Sequence, residues 1–108
     1  MAFSVFVTND AARDMEEIDR YIFTHDSPSK ADHVLDQIEM ALASLTESPN
    51  RGAYPKELLE LGIREYRQIF FKPYGIIYRV LGHTVYVLLI ADGRRDLQAL
   101  LQRRLLEG

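Results

Sequence analysis

The sequence predicts an α+β fold of order β-α-α-β-β-β-α, with an N-terminal helical hairpin packed on a mainly antiparallel sheet and a helix at the C-terminal end. Three observations carry that expectation. Apolar side chains recur at helical spacing through the first half, a run rich in Ile, Val, Tyr and Phe follows, and the last residues return to helical spacing. With 108 residues the chain suits one domain, 1–108, with one modest core.

Each element has a local reason. Phe3, Val5 and Val7 alternate with Ala2, Ser4 and Phe6, as in a short strand with both faces largely covered. Thr8-Asn9-Asp10 offers caps for a helix whose apolar stripe is Ala11, Met15, Ile18 and Ile22, leaving Arg13, Asp14, Glu17 and Arg20 on the wet side. HDSPSK ends that helix, and Ser27 with Pro28 starts the next: serine caps, and proline at the first helical position lacks only an N–H that would be unpaired anyway. The second helix carries Ala31, Val34, Leu35, Ile38, Ala41, Leu42 and Leu45 on one side. So short a turn between two helices implies an αα-hairpin.

The stretch ESPNRGAYPKELLELGIREY is a connector, broken by Pro49, Asn50, Gly52 and Pro55, with a short helical turn over Glu57 to Leu61 that ends at Gly62. Strands follow at Tyr66 to Phe71, Gly75 to Leu81 and Thr84 to Ala91. Lys72-Pro73-Tyr74 and Gly82-His83 separate them at hairpin distance, so consecutive antiparallel pairing is expected. The last helix shows Leu97, Leu100, Leu101 and Leu105, with Arg103 and Arg104 outside.

Composition excludes several classes. Apolar and charged fractions of 47% and 27% fit neither disorder nor a fibrous repeat. No run approaches roughly 18 apolar residues, and MAFSVFVTND lacks the basic start and cleavage site of a secretory signal, so a cytoplasmic protein without membrane contact is expected. The absence of cysteine rules out a disulfide, a thiol nucleophile and a Cys-ligated metal. The net charge of −3 conceals an asymmetry: residues 1 to 50 carry three Lys/Arg against ten Asp/Glu, residues 51 to 108 carry ten against six. Local potential then governs which partners approach.

No HExxH, P-loop, dinucleotide fingerprint or paired metal ligands occur, so neither metal nor cofactor is expected. His25, His33 and His83 read as solvated residues, and Glu16-Glu17 and Asp14 with Asp10 as a solvated acidic face. The arginines are harder to dismiss. Arg64, Arg67, Arg79, Arg94 and Arg95 lie in or beside the strands, where pairing gathers distant residues. Arg67 shares strand parity with Ile69 and Phe71; an ion pair with Glu65, Asp92 or Asp96 competes with a binding role. In ADGRRD the forks of Arg94 and Arg95 stand before a helix start, an arrangement suited to phosphate or carboxylate unless Asp92 or Asp96 takes them.

The layout resembles a known family. YGIIYRVLGHTVYVLLIADGRRDLQALLQRRL, preceded by YPKELLELGIREYRQIFF, is similar to the RelE/ParE superfamily of toxins from bacterial type II toxin–antitoxin systems. The similarity extends over nearly the whole chain and is most specific at Arg64 to Arg67, Ile77 to Val80 and Asp92 to Asp96. It implies a small cytoplasmic inhibitor of growth, encoded with a cognate antitoxin whose C-terminal segment folds along the toxin surface, and associated with plasmid or chromosomal stability.

The superfamily divides by target. RelE-like members cut mRNA on the ribosome without metal, with arginines on the scissile phosphate and a tyrosine or histidine near the last helix, as charge stabilisation and proton transfer require. By that resemblance the first arginine position falls at Gly75, the second at Arg95 and the late tyrosine at about Leu101. Two of those positions lack the chemistry, and a net acidic chain is ill suited to a polyanion. The resemblance therefore implies a ParE-like protein that binds and inhibits DNA gyrase, is not an enzyme, and does not itself bind DNA. Its expected target- or antitoxin-binding residues are Arg64, Arg67, Arg79, Arg94, Arg95, Arg103 and Arg104. The alternatives are a ribosome-dependent mRNA endonuclease with an altered site using Arg95, Arg79 and Arg67, or an inactive relic of the family.

Overall fold

The computed structural model describes residues 2–107. A four-stranded mixed sheet forms the middle layer, in the order β1-β4-β3-β2: β1 is Ser4–Val7, β2 Arg67–Phe71, β3 Tyr74–Leu81 and β4 Thr84–Asp92. β2, β3 and β4 pair antiparallel in succession, as the two-residue breaks demand, while β1 returns to lie parallel to β4. The helices are α1 (Asn9–His25), α2 (Pro28–Ala43), α3 (Lys56–Glu60) and α4 (Leu97–Glu107), with a turn of 3-10 helix at Ser44–Thr46.

The expected caps form. Thr8 Oγ1 accepts from Ala11 N at 3.3 Å and donates to Val87 O at 2.8 Å, so one hydroxyl starts α1 and ties it to the last β1–β4 pair. Ser27 Oγ accepts from Lys30 N at 3.1 Å, with Pro28 opening α2. Gly62 turns the chain out of α3 at φ +78°, a left-handed conformation that other residues adopt at a cost.

Each face of the sheet carries a helical layer. Between it and the αα-hairpin lie Ala11, Ile38, Leu42, Ile76, Val87 and Ile90. On the opposite face Ile77, Leu89 and Ala91 pack with Leu58 of α3 and with Leu97 and Leu101 of α4. Burying a side chain such as Ile38 or Ile77, both at 0% exposure, contributes about 1.5–3 kcal/mol. A bulge lets β4 serve both layers: Ile77 faces Leu89 but Tyr78 faces Val87, so Leu88 is left over and parity shifts.

Two sequence expectations are corrected here. β1 is an edge strand with one covered face, because the second layer beneath it stops short and leaves Phe6 54% exposed. Asp14 is not on the wet side of α1. It lies three residues after Ala11 and four before Ile18, on the apolar stripe itself, and is 8% exposed.

The connector is stitched to the sheet. Ala53 and Gln68 exchange backbone hydrogen bonds of 2.8 and 3.1 Å, so the chain after Pro49 covers part of the open edge of β2. Behind it the fully buried Tyr78 hydroxyl donates to Pro49 O at 2.8 Å and accepts from Gly52 N at 2.9 Å. A Cβ at position 52 would lie 2.6 Å from that hydroxyl, which is why glycine stands there. Burial pushes the Tyr78 phenol pKa up from 10.0, so its stabilising effect is complete below that value and is lost as pH rises through the folded-state pKa. Tyr78→Phe leaves a buried donor and acceptor unpaired and is expected to cost about 1–3 kcal/mol, read as a lower denaturant midpoint at unchanged m-value.

Candidate functional site

The junction between β4 and α4 holds the arginine pair of ADGRRD. Asp92 ends β4, and its carboxylate is engaged from within the junction: Arg94 Nη2 donates to Oδ2 at 2.7 Å, and Arg94 Nε and N donate to Oδ1 at 3.1 and 2.9 Å. The Arg94 side chain, then its backbone N–H, hold the Asp92 pKa at about 2, with Arg95 adding a smaller pull. A depressed carboxylate pKa stabilises the fold above the unfolded value, and that contribution disappears as pH falls through about 2. Arg94→Ala is expected to return Asp92 toward the ordinary value of about 3.9, as followed by NMR titration of its carboxyl carbon.

The helix start is likewise taken from within. Asp96 Oδ1 accepts from Ala99 N at 3.0 Å, capping α4 with a carboxylate. What remains is the Arg95 side chain, exposed and without an ion-pair or hydrogen-bond partner among the described residues, while its backbone N–H donates to Asp92 O at 3.0 Å. It stands between two clefts. One, of about 280 Å³, is lined with it by Gln68, Phe70 and Gln98; the other, of about 370 Å³, by Glu17, Tyr21, Tyr74 and Asp92. The corner thus offers one free guanidinium, not the two-fork cradle that the sequence suggests.

The other arginines divide by what they touch. Arg67 grips the connector, with Nη1 on Asn50 O and Gly52 O at 3.1 and 2.8 Å and Nη2 on Tyr54 Oη at 2.9 Å, its guanidinium 4.3 Å from the Tyr54 ring centre. Its partners are main-chain carbonyls and a phenol in place of Glu65, Asp92 or Asp96. Arg79 lies 5.6 Å from the Tyr66 ring centre and 3.8 Å from Glu65 Oε2. Arg64 and Arg103 are exposed without a partner among the described residues.

Arg104, expected outside, is turned inward. Its guanidinium chelates Asp14, at 2.6 Å from Nη1 and shorter from Nη2, and Nη1 also donates to Leu88 O at 2.8 Å. Asp14 in turn accepts from Ile90 N at 2.9 Å. The reason is topological: β1 pairs with β4 only as far as Val87, so Leu88 and Ile90 face an edge without a strand, which these two side chains satisfy. The pair raises the Arg104 pKa and keeps it charged at any working pH. Sequence reasoning missed Asp14, although its place on the α1 stripe marked it; Arg104, three residues after Leu101, carries the same mark on α4.

His25, His33 and His83 are exposed; the first two reach the rim of one cleft of about 540 Å³ beside Tyr74. Among the described residues no cluster of three metal-ligating side chains occurs, and no helix is long and apolar enough to cross a membrane.

Three solved structures share this fold. A chain of a chromosomal ParDE system from P. aeruginosa matches with TM-score 0.71 at 24% identity, over 84% of this chain and 96% of that one. One from the toxin–antitoxin complex RelBE2 of Mycobacterium tuberculosis gives TM-score 0.58 and 22% identity over 85% and 99%. A doubly arginine-to-alanine substituted E. coli toxin RelE, in the free state, gives 0.64 and 14% over 99% and 97%. No curated protein sequence matches the chain. The family model for the ParE toxin of the type II toxin–antitoxin system, parDE, matches residues 5–97, and the chain belongs to that family.

Proposed function

We propose that this toxin acts by binding DNA gyrase in the cytoplasm and is neutralised by a cognate antitoxin, without catalysis, metal or cofactor. The observation that carries this reading is the state of the two positions where the nuclease branch would need side-chain chemistry. Gly75 is buried against Leu97 and Phe70, where an added Cβ would lie 2.7 Å from Leu97 Cδ1, and Leu101 is 2% exposed inside the apolar layer under α4. Neither position opens to a substrate. Of the three positions only Arg95 keeps the expected side chain, and a single fork can recognise an anion but lacks the second arginine that would hold and stabilise a scissile phosphate.

The net charge of −3 further disfavours ribosomal RNA as the docking surface. Antitoxin control is supported by the match to the ParE toxin family and by similarity to chains from a ParDE system and from the RelBE2 toxin–antitoxin complex. Of the candidate arginines, Arg64, Arg95 and Arg103 are exposed and without a side-chain partner among the described residues, and so open to a target, whereas Arg67 and Arg104 are held by the fold.

The test adds purified protein to gyrase supercoiling and cleavage assays, and in parallel to a translation reaction read by primer extension. Gyrase inhibition with intact mRNA is expected, and Arg95→Ala should weaken that inhibition while leaving the melting temperature in place. Ribosome-dependent mRNA cuts with untouched gyrase would replace this reading with the endonuclease one. Activity in neither assay from folded protein would identify an inactive member.

A further inference from the structure

A cleft of about 540 Å³ opens where the end of α1 and the start of α2 meet the turn between β2 and β3, and none of Arg64, Arg95 and Arg103 lines it. Its volume falls within the range of small-ligand pockets, about 300 to 1,000 Å³. Ile22, buried, and Val34 and Phe71, partly buried, give it an apolar lining.

The rest of the lining combines an aromatic face with an uncommitted cation. The Tyr21 and His25 rings, one turn apart on α1, stack with 4.2 Å between centres and 19° between planes, and Tyr21 is 64% exposed. His25 Nδ1 lies 3.0 Å from Tyr21 O; a carbonyl oxygen only accepts, so Nδ1 carries the proton and Nε2 is left to a ligand. Tyr74 of β3 adds a third ring. Burial, then the charge of Asp92, raise its phenol pKa above 10.0, so the hydroxyl stays a neutral donor at working pH. Asp26, the one acid among the described residues of the lining, is taken by Lys30 Nζ at 2.8 Å. Lys72, exposed on the turn, has no ion-pair or hydrogen-bond partner among the described residues.

We propose that this cleft binds a mononucleotide, its base on the Tyr21–His25 face and its phosphate on Lys72. Aromatic faces accept any base because every base presents a π face. An ammonium at the mouth of such a cleft serves a phosphate as a point charge. A polynucleotide fits poorly, since α1 carries five Asp/Glu against two Arg and α2 three against one Lys, and a run of phosphates laid over that hairpin would be repelled. One phosphate held at the Lys72 turn avoids that repulsion.

The test titrates the full chain with AMP, GMP, CMP and UMP, and separately with adenosine and inorganic phosphate, followed by amide chemical shifts and calorimetry. The AMP titration is repeated on Lys72→Ala, Tyr21→Ala and Lys56→Ala, the last removing an exposed lysine of α3 that does not line the cleft. AMP is expected to shift amides at the end of α1, the start of α2 and the β2–β3 turn, and to bind about tenfold or more tighter than adenosine or phosphate. Lys72→Ala and Tyr21→Ala should each weaken AMP by about tenfold, with melting temperatures near that of the parent, and Lys56→Ala should bind as the parent does. Parental affinity in either cleft variant, or an equal loss in Lys56→Ala, would overturn the site. Phosphate binding as tightly as AMP would reduce it to an anion-binding turn, and adenosine binding as tightly would reduce it to an aromatic cleft; either overturns the mononucleotide assignment. So would the absence of binding by all four nucleotides at millimolar concentration, with the gyrase reading left as it stands.

Discussion

Arg104→Ala is expected to lower the melting temperature by roughly 10–20 °C, because removing one partner of a buried ion pair costs about 3–5 kcal/mol and each kcal/mol moves a domain of this size by about 4 °C or more. Asp14 and Arg104 side chains are 10% and 24% exposed, so water can do little for the carboxylate left behind. Leu88 O also loses its donor, and Asp14 keeps only the N–H of Ile90. The double substitution Asp14→Leu with Arg104→Met should recover part of the loss and not all of it. It removes the stranded charge, but Leu88 O and Ile90 N stay on an edge that β1 does not reach. Calorimetry on the two single variants and the double one separates charge burial from edge satisfaction. A melting temperature for Arg104→Ala within a few degrees of the parent would mean that solvent reaches that edge, and α4 would no longer owe its position to the clamp.

How far the sequence could be read depended on how local each cause was. Thr8, Ser27-Pro28 and the break at Gly82-His83 announced their structures because a cap or a two-residue turn is decided within a few residues. The place of β1 beside β4 was not legible, since Ser4 pairs with Thr84 through a parallel register that no neighbouring residue signals. The exposure of Phe6 follows from that placement and was missed with it. At the candidate site, the engagement of Arg94 by Asp92 is foreseeable as a contact two residues apart. The partners of Arg67 were not, because main-chain carbonyls at Asn50 and Gly52 leave no trace in residue type. Asp14 and Arg104 stand between these cases: helical spacing put each on a buried face, but only the fold joined them.

Installing the missing nuclease groups, Gly75→Arg with Leu101→Tyr, is expected to dislodge α4 and to yield no ribosome-dependent cleavage. Gly75 lies within β3 between Phe70 of β2 and Ala91 of β4, where a side chain would meet Leu97 Cδ1 at 2.7 Å and Phe70 Cε1 at 3.2 Å. An arginine there either pushes out Leu97, which is 7% exposed, or leaves its charge among apolar groups. Overpacking costs about 1–3 kcal/mol and an unpaired buried charge considerably more, against a total stability of about 5–15 kcal/mol for a typical domain. At position 101 the tyrosine must fit a site where leucine is 2% exposed, so its hydroxyl would reach solvent only if the helix lifts. Hydrogen exchange should therefore show amides of α4 losing protection while β3 and β4 keep theirs, with primer extension unchanged from a control without protein. A double variant that kept α4 protected and cut mRNA would mean that the nuclease chemistry can be restored to this scaffold by two side chains, and the argument from Gly75 and Leu101 for a binding toxin would fail with it.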